Sequence, residues 1–353
     1  MEKRVEALLY SREKDGNVRC NLCPRRCLIF PDQAGYCGVR QNIDGTLYTL
    51  IYGKASSINV DPIEKKPLFH FYPGTMALSI GTIGCNMRCI HCQNWQISHV
   101  IPVKGVEKGK VYNIVEEIPT EYVNPEEMVG MAVKAGCRGI AFTYNEPTIW
   151  LEYTMDVAKL AKERGLYTVY VSNGYITPDA LDTIGPYLDA FRVDIKGFTS
   201  EFYRKLAQVP NWETILEATE RAKKHWKMHV EIISLVIPSW NDDEEQLRSI
   251  ADWIVDSLGD MTPWHVTRFV PYLDLRDIPM TPIETLEKAR EIGLKSGLKY
   301  VYIGNVPGHP AEHTHCHKCR ELLIKRVGYE IEAKNITDAG KCASCGADIG
   351  LRF

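Results

Sequence analysis

The apolar run Met76–Ile83, closed off by Gly81 and Gly84, leads straight into Cys85, Cys89 and Cys92 in the spacing C-x3-C-x2-C. A run this short with glycines at its end reads as a buried strand, so the three thiols sit on the loop that leaves it. A cubane iron–sulfur cluster is held by four cysteine thiolates, and the local run stops at three. One iron is then open, and an open metal position can bind and activate a ligand. The competing reading is a zinc knuckle, but zinc sites of this kind supply four protein ligands and leave the preceding strand without a purpose.

Eleven of the twelve cysteines fall into three groups: Cys20, Cys23, Cys27 and Cys37; Cys85, Cys89 and Cys92; and Cys316, Cys319, Cys342 and Cys345. Such clustering indicates metals or clusters, not structural bridges. Cys137 stands alone and is expected in the core as a small apolar residue. A net charge of −3 provides no basic field for nucleic acid. No apolar run approaches the length of a membrane span, and the charged start MEKRVEALLYSREKDG is unlike a signal peptide. The expected setting is a reducing cytoplasm, where disulfides are rare.

From Met76 onward the chain alternates between strand and helix patterns. Strands are predicted at Met76–Ile83, Gly139–Thr143, Tyr167–Val171, Ala190–Ile195, His229–Leu235, His265–Val270 and Tyr300–Ile303. Asn124-Pro125-Glu126-Glu127 is a helix start, with an N-cap, a first-turn proline and two acids, and Gly136 stops that helix. Thr177-Pro178 and Thr281-Pro282 repeat the signal. The alternation implies an α/β fold with a parallel sheet. Six or seven such units make a full or nearly full barrel, whose active site lies at the carboxyl ends of the strands.

Three parts follow: a Cys-rich metal or cluster segment at 1–60, the barrel at 61–305 and a four-cysteine module at 306–353. Within the first, C-x2-C-x3-C-x9-C is interrupted by Pro24, Pro31, Gly35 and Gly38, so turns predominate. Its four thiols suit either zinc or a second iron–sulfur cluster. Residues 45–60 read as a hairpin-like pair of strands, and 61–73 as a connecting segment whose IEKKP run either presents charge near the cluster or, by default, is a solvated loop. In the last part, paired C-x2-C knuckles separated by twenty-two residues are a zinc-ribbon signal; a rubredoxin-like iron or an auxiliary cluster is the competitor. His313, His315 and His317 are read as loop residues, since four cysteines already complete a site.

The C-x3-C-x2-C loop after the first strand of a βα repeat resembles that of radical S-adenosylmethionine (SAM) enzymes. The wider wording, Asp61–Thr75 through Gly84–Trp95, resembles the radical SAM enzyme of the AmmeMemoRadiSam system, itself similar to pyruvate formate-lyase activating enzymes. The resemblance implies a partial (β/α)6 TIM-like barrel and a site-differentiated [4Fe–4S] cluster on Cys85, Cys89 and Cys92. It implies SAM as the second cofactor, cleaved reductively to a 5′-deoxyadenosyl radical that abstracts hydrogen from a substrate. In the activating enzymes a Gly-Gly-Glu-Pro run receives the SAM amino group; here Tyr144 and Asn145 replace the glycines, and the match rests on Glu146-Pro147. Ser172-Asn173-Gly174 is similar to their Thr-Asn-Gly, with Asn173 as a contact to SAM. Asp194 and Lys196 share a strand face and resemble the Asp-Leu-Lys that reaches the SAM carboxylate and ribose; a structural ion pair is the alternative. His91 takes the family's aromatic position beside adenine. Weaker candidates are residues 237–242, for the adenine pocket, and His265 and Arg268 on the sixth strand, the arginine as an anion binder or a buried ion-pair partner.

Three functions are carried forward. The first is a radical SAM enzyme acting on a small molecule or a protein other than a glycyl radical enzyme. The second is a glycyl-radical-enzyme activase. The third is a non-catalytic, zinc-rich scaffold or nucleic-acid-binding protein, which the charge balance opposes. Implied partners are an electron donor such as ferredoxin or flavodoxin, together with Memo-like and AMMECR1-like proteins. An oxygen-labile cluster implies an anaerobic setting.

Overall fold

The parallel strands of the chain are almost wholly buried, as strands covered on both faces are. In the computed structural model, which describes residues 4–101 and 113–353, one eight-stranded sheet organises the molecule. Its strands are β1 (Ser57–Pro62), β2 (Met76–Gly81), β3 (Gly139–Phe142), β4 (Tyr167–Ser172), β5 (Ala190–Asp194), β6 (His229–Val236), β7 (Trp264–Arg268) and β8 (Val301–Gly304). They lie side by side in sequence order; β1 pairs antiparallel with β2, and all later neighbours are parallel. Among the described residues β1 and β8 share no ladder, so the sheet curls but stays open between them. All seven predicted strands are present, within one or two residues at each end.

Helices α1 (Pro125–Lys134), α2 (Leu151–Glu163), α3 (Pro178–Ile184), α4 (Glu213–Lys224), α5 (Glu244–Trp253) and α6 (Ile283–Lys295) connect β2 through β8. The expected six βα units are therefore followed by a seventh parallel strand and preceded by an antiparallel one. The α1 start forms a capping box: Asn124 Oδ1 accepts the Glu127 N–H at 2.8 Å, and Glu127 accepts back from the Asn124 N–H. Gly136 follows with φ +68°, the left-handed turn a helix end requires. Thr177 caps α3 as expected. Thr281 does not cap α6: Pro282 holds that position, and the Thr281 hydroxyl instead donates to the Val236 carbonyl, tying two strand-end loops.

Three further expectations are corrected. The strands within 45–60 do not pair with each other: Thr46–Thr49 joins Arg40–Ile43 and Val5–Glu6, while β1 joins the barrel sheet. The amino-terminal segment is more than turns, since Tyr10–Arg12, Val18–Cys20 and Leu28–Ile29 form a second three-stranded sheet. Nor is 61–73 a solvated loop. Glu64 and Lys66 are buried, Lys66 pairs with Asp61 at 2.7 Å, and the Phe69 and His70 N–H groups donate to Glu231. Phe71 packs on Tyr167 and His229, at the first residues of β4 and β6, so this segment closes the amino-terminal end of the barrel.

The four-cysteine module docks on that same end. Its strands Thr314–His315, Leu322–Val327 and Glu330–Lys334 form an antiparallel sheet. Phe69, Tyr300 and Tyr302 share a buried cluster with Cys316, Leu323, Cys342 and Ile349. The fully buried Arg326 donates to the Phe69 carbonyl at 2.8 Å and stacks on the Phe69 ring. Cys137 lies in the main core as expected, and that core also takes in Val18, Leu22, Val39 and Leu47 of the amino-terminal segment.

Candidate active site

The loop leaving β2 bends back over the carboxyl ends of the strands and brings Cys85, Cys89 and Cys92 to the mouth of the lumen. Its backbone is held by side chains that motif reasoning passed over. Arg88 is buried and donates to the carbonyls of Cys85, Ser98, Tyr36 and Val100 at 3.2, 2.9, 2.8 and 2.8 Å. Asn145 accepts from the Thr82 N–H at 3.1 Å and donates to the Gly84 carbonyl at 2.8 Å. Asn86 donates to the Tyr175 carbonyl at 2.7 Å. A cluster loop has many carbonyls and no ladder to satisfy them; an arginine and asparagines in and beside it were the signal available.

Asn173, at the end of β4, donates to Asn86 Oδ1 at 2.9 Å and points the same amide at Cys85 Sγ, 3.7 Å away. Glu146 is buried, and both of its oxygens are occupied: one accepts from the Thr148 N–H and the Ser172 hydroxyl, the other from the Asn173 N–H. Burial nonetheless leaves its pKa above the ordinary carboxylate value. In this arrangement Glu146 braces the tops of β3 and β4. Tyr144 takes φ +71°, the left-handed conformation a glycine would adopt freely, and its hydroxyl donates to Asp61 at 3.0 Å.

Asp194 and Lys196 both face the cavity, as period-two alternation requires. Asp194 bridges Lys196 at 2.8 Å and Arg192 at 2.5 Å. Burial works to raise its pKa, but the two cations outweigh it and the net shift is downward. Burial likewise works against the Lys196 charge, and Asp194 more than restores it. His91 is buried on the cavity wall, and burial pushes its pKa down to about 3, so the ring is neutral.

These residues border one cavity of about 580 Å³ that runs from the cysteine loop down the lumen to Glu64 and Phe69, with the exposed Asn305 and Tyr329 also on its wall. His265 also faces it and binds Glu231 at 2.7 Å. Of the other weaker sequence candidates, Arg268 and residues 237–242, none lines it. Arg268 donates to the Thr281 carbonyl at 2.8 Å, because its offset from His265 puts it on the other strand face. Asn241 is buried beneath the Lys196 and Leu235 carbonyls, to which it donates, so residues 237–242 pin loops instead of lining the pocket.

The residues present fit a cluster with a bound ligand. Among the described residues, Cys316, Cys319, Cys342 and Cys345 are the group whose ligand atoms all lie within 4.8 Å of one another; Cys85, Cys89 and Cys92 do not form such a group, and a cubane, which takes each thiolate at a different iron, does not ask it of them. On the adjoining wall, His91 Nδ1 and Arg192 Nε are buried without a hydrogen-bond partner, which suits a polar ligand. The C-terminal four converge on a point, with Cys316–Cys345 and Cys319–Cys342 sulfurs each 3.6 Å apart, while His313, His315 and His317 bind elsewhere.

Residues 79–251 match the family model of the radical SAM superfamily. Over 347 residues the chain is 43% identical to the uncharacterized protein MJ0808 of Methanocaldococcus jannaschii, covering 98% of this chain and 99% of that one. The chain belongs to the radical SAM superfamily. That family implies a [4Fe–4S] cluster and SAM. The chain is also similar to the pyruvate formate-lyase 1-activating enzyme of Escherichia coli K12, at 23% identity over 193 residues, 52% of this chain and 71% of that one. Among solved structures it is similar to a domain of pyruvate-formate lyase-activating enzyme from Bacteroides vulgatus, with a TM-score of 0.41, 21% identity, and coverage of 47% of this chain and 99% of that one. Among the described residues no helix is long and apolar enough to cross a membrane.

Proposed function

We propose that this radical SAM protein is an enzyme that holds its cluster on Cys85, Cys89 and Cys92 and abstracts hydrogen from a substrate bound in the barrel lumen. The observation that carries this is the opening of the three-cysteine loop into a cavity walled by His91, Asp194 and Lys196. When bound, the cluster and SAM supply one-electron cleavage of a sulfonium and a 5′-deoxyadenosyl radical. The chain's own work is binding and exclusion. Lys196 pairs with a carboxylate, Asp194 accepts from ribose hydroxyls, and the His91 ring stacks on a purine. Asn173 and Glu146 act as positioning residues, fixing the cysteine loop against β3 and β4. The buried lumen keeps water from a reactive intermediate.

The relatives named as pyruvate formate-lyase activating enzymes favour a second reading, a glycyl-radical-enzyme activase. A glycine-centred radical on a partner protein decides for it; a modified small molecule decides against it. Memo-like and AMMECR1-like proteins are the partners to try first, with ferredoxin or flavodoxin as electron donor and an anaerobic cytoplasm as the setting. The C-terminal four cysteines are assigned to structural zinc. The test is anaerobic reconstitution with iron and sulfide, then dithionite and SAM. 5′-Deoxyadenosine forms with the intact chain and is absent with Cys85→Ala; no product from the intact chain ends the proposal.

A further inference from the structure

The chain turns bring Cys20, Cys23, Cys27 and Cys37 into one segment of the fold: the Cys20 N–H donates to the Cys27 carbonyl at 3.0 Å, the Gly38 N–H donates to the Gly35 carbonyl at 2.9 Å, and a Cβ on Gly35 would lie 3.8 Å from Cys27 Sγ. Yet they do not form a group with all ligand atoms within 4.8 Å of one another, as the C-terminal four do. A single tetrahedral ion with metal–sulfur bonds of about 2.3 Å draws its sulfurs to about 3.8 Å apart. A cubane takes each thiolate at a different iron and needs them wider. Neither the amino-terminal four nor Cys85, Cys89 and Cys92 form a group that tight. A fully buried guanidinium, Arg40, donates to Cys20 Sγ at 3.6 Å, and hydrogen bonds to sulfur are one of the levers that set a cluster's potential.

The two groups also touch. Gly84, next to Cys85, has φ +91°, and a Cβ there would lie 2.8 Å from the Cys37 carbonyl oxygen. Arg25, between Cys23 and Cys27, donates to the Asn86 carbonyl at 2.6 Å. Arg88 joins the Tyr36 and Cys85 carbonyls through one guanidinium. Three ties within two residues of cysteines on both sides exceed what a remote folding knuckle needs.

We propose that Cys20, Cys23, Cys27 and Cys37 hold a second [4Fe–4S] cluster, and that electrons enter through it toward the Cys85, Cys89 and Cys92 site. The entry role rests on the function proposed above; the site does not. In the step, reduced ferredoxin gives up one electron and its own cluster is oxidised. The amino-terminal cluster goes from the 2+ to the 1+ state and returns to 2+ as it passes the electron on; no atom or proton is transferred.

The test is anaerobic reconstitution of the full chain and two variants, read by iron, sulfide and zinc content, Mössbauer and EPR spectroscopy. The intact chain is expected to bind about eight irons, and Cys85→Ala/Cys89→Ala/Cys92→Ala to keep about four, with an EPR signal that SAM does not alter. Cys20→Ser/Cys23→Ser also keeps about four, with a signal that SAM does alter. In that variant reduction by ferredoxin is lost while reduction by dithionite persists. Zinc without iron in the triple variant overturns the site. Undiminished ferredoxin reduction in Cys20→Ser/Cys23→Ser overturns the entry role. A SAM-insensitive signal in the intact chain, with four irons kept by the triple variant, would break the proposed function and leave the site standing. If Cys20→Ser/Cys23→Ser misfolds by circular dichroism, the triple variant alone decides the site, and Arg25→Gln, which loosens the contact but spares the ligands, decides the entry role by the same ferredoxin readout.

Discussion

The C-terminal cysteines and those after β2 have similar local spacing and opposite designs. Cys316, Cys319, Cys342 and Cys345 sit on two knuckles whose sulfurs close on one point, over a core shared with Phe69, Tyr300 and Tyr302. Cys85, Cys89 and Cys92 sit on one loop, facing a cavity instead of a core. A closed tetrahedral set has no position left for chemistry; an open triplet at a barrel mouth has one. Cysteine count and enclosure, more than spacing, distinguish the two sets.

The comparison can be broken by removing one ligand from each side. Cys89→Ala is expected to abolish 5′-deoxyadenosine formation completely, while the C-terminal metal stays bound; metal content and chromatography of the product check both halves. Cys342→Ala has the reverse signature. Structural zinc sites contribute about 10–16 kcal/mol in small zinc peptides, so the module should unfold locally, read as lost amide protection over 314–350 with residues of β3 to β6 still protected.

Finer changes sharpen it. Lys196→Met removes a charge-assisted contact of about 1.5–3 kcal/mol, so SAM binding should weaken roughly ten- to a hundredfold in an EPR titration, at unchanged iron content. At the opposite end of the barrel, acid should destabilise. Burial holds His70 at about 3 against 6.5 when unfolded, so the unfolded chain takes up the proton first as pH falls. The loss begins near pH 6.5 and amounts to on the order of 2 kcal/mol at pH 5 from this group. Glu231, which burial works to raise, is held down by His229 and His265; it loses stability in the same direction as pH falls. His70 also faces Arg326 and Tyr302, and none of these groups reverses the sign. Urea midpoints at pH 7.5 and 5 measure it. The smallest effect is Asn124→Ala, which loses a helix cap worth about 1 kcal/mol and should lower the urea midpoint without touching either metal content.

Much of the fold was legible because its signals are local. Buried strands bounded by glycine, and Asn124 and Thr177 before proline, carry their meaning within a few residues. The segment 61–73 misled because Glu64 and Lys66 look solvated, and only their partners make them internal: Lys66 pairs with Asp61, Glu64 accepts from the Gly74 N–H, and Glu231 of β6 takes the Phe69 and His70 N–H groups. Thr281 looked like a cap for the same reason: its hydroxyl found a better acceptor in Val236, forty-five residues away. Asp194 and Lys196 were legible from period two, and Arg268 was not placed because the sequence did not show whether the strand ends between it and His265. Asn86, Arg88 and Asn145 hold the loop through backbone carbonyls, so their presence in and beside it was the one trace the sequence carried.

By itself the sequence determined the ligand types, their grouping and the order of strands and helices, because cysteine chemistry and apolar periodicity are properties of short stretches. Tertiary structure alone decided which sulfurs converge and which do not. It also brought Cys37 against Gly84, and turned the apparent loop at 61–73 into the floor of the barrel. Those outcomes depend on distances between parts of the chain that no local spacing encodes.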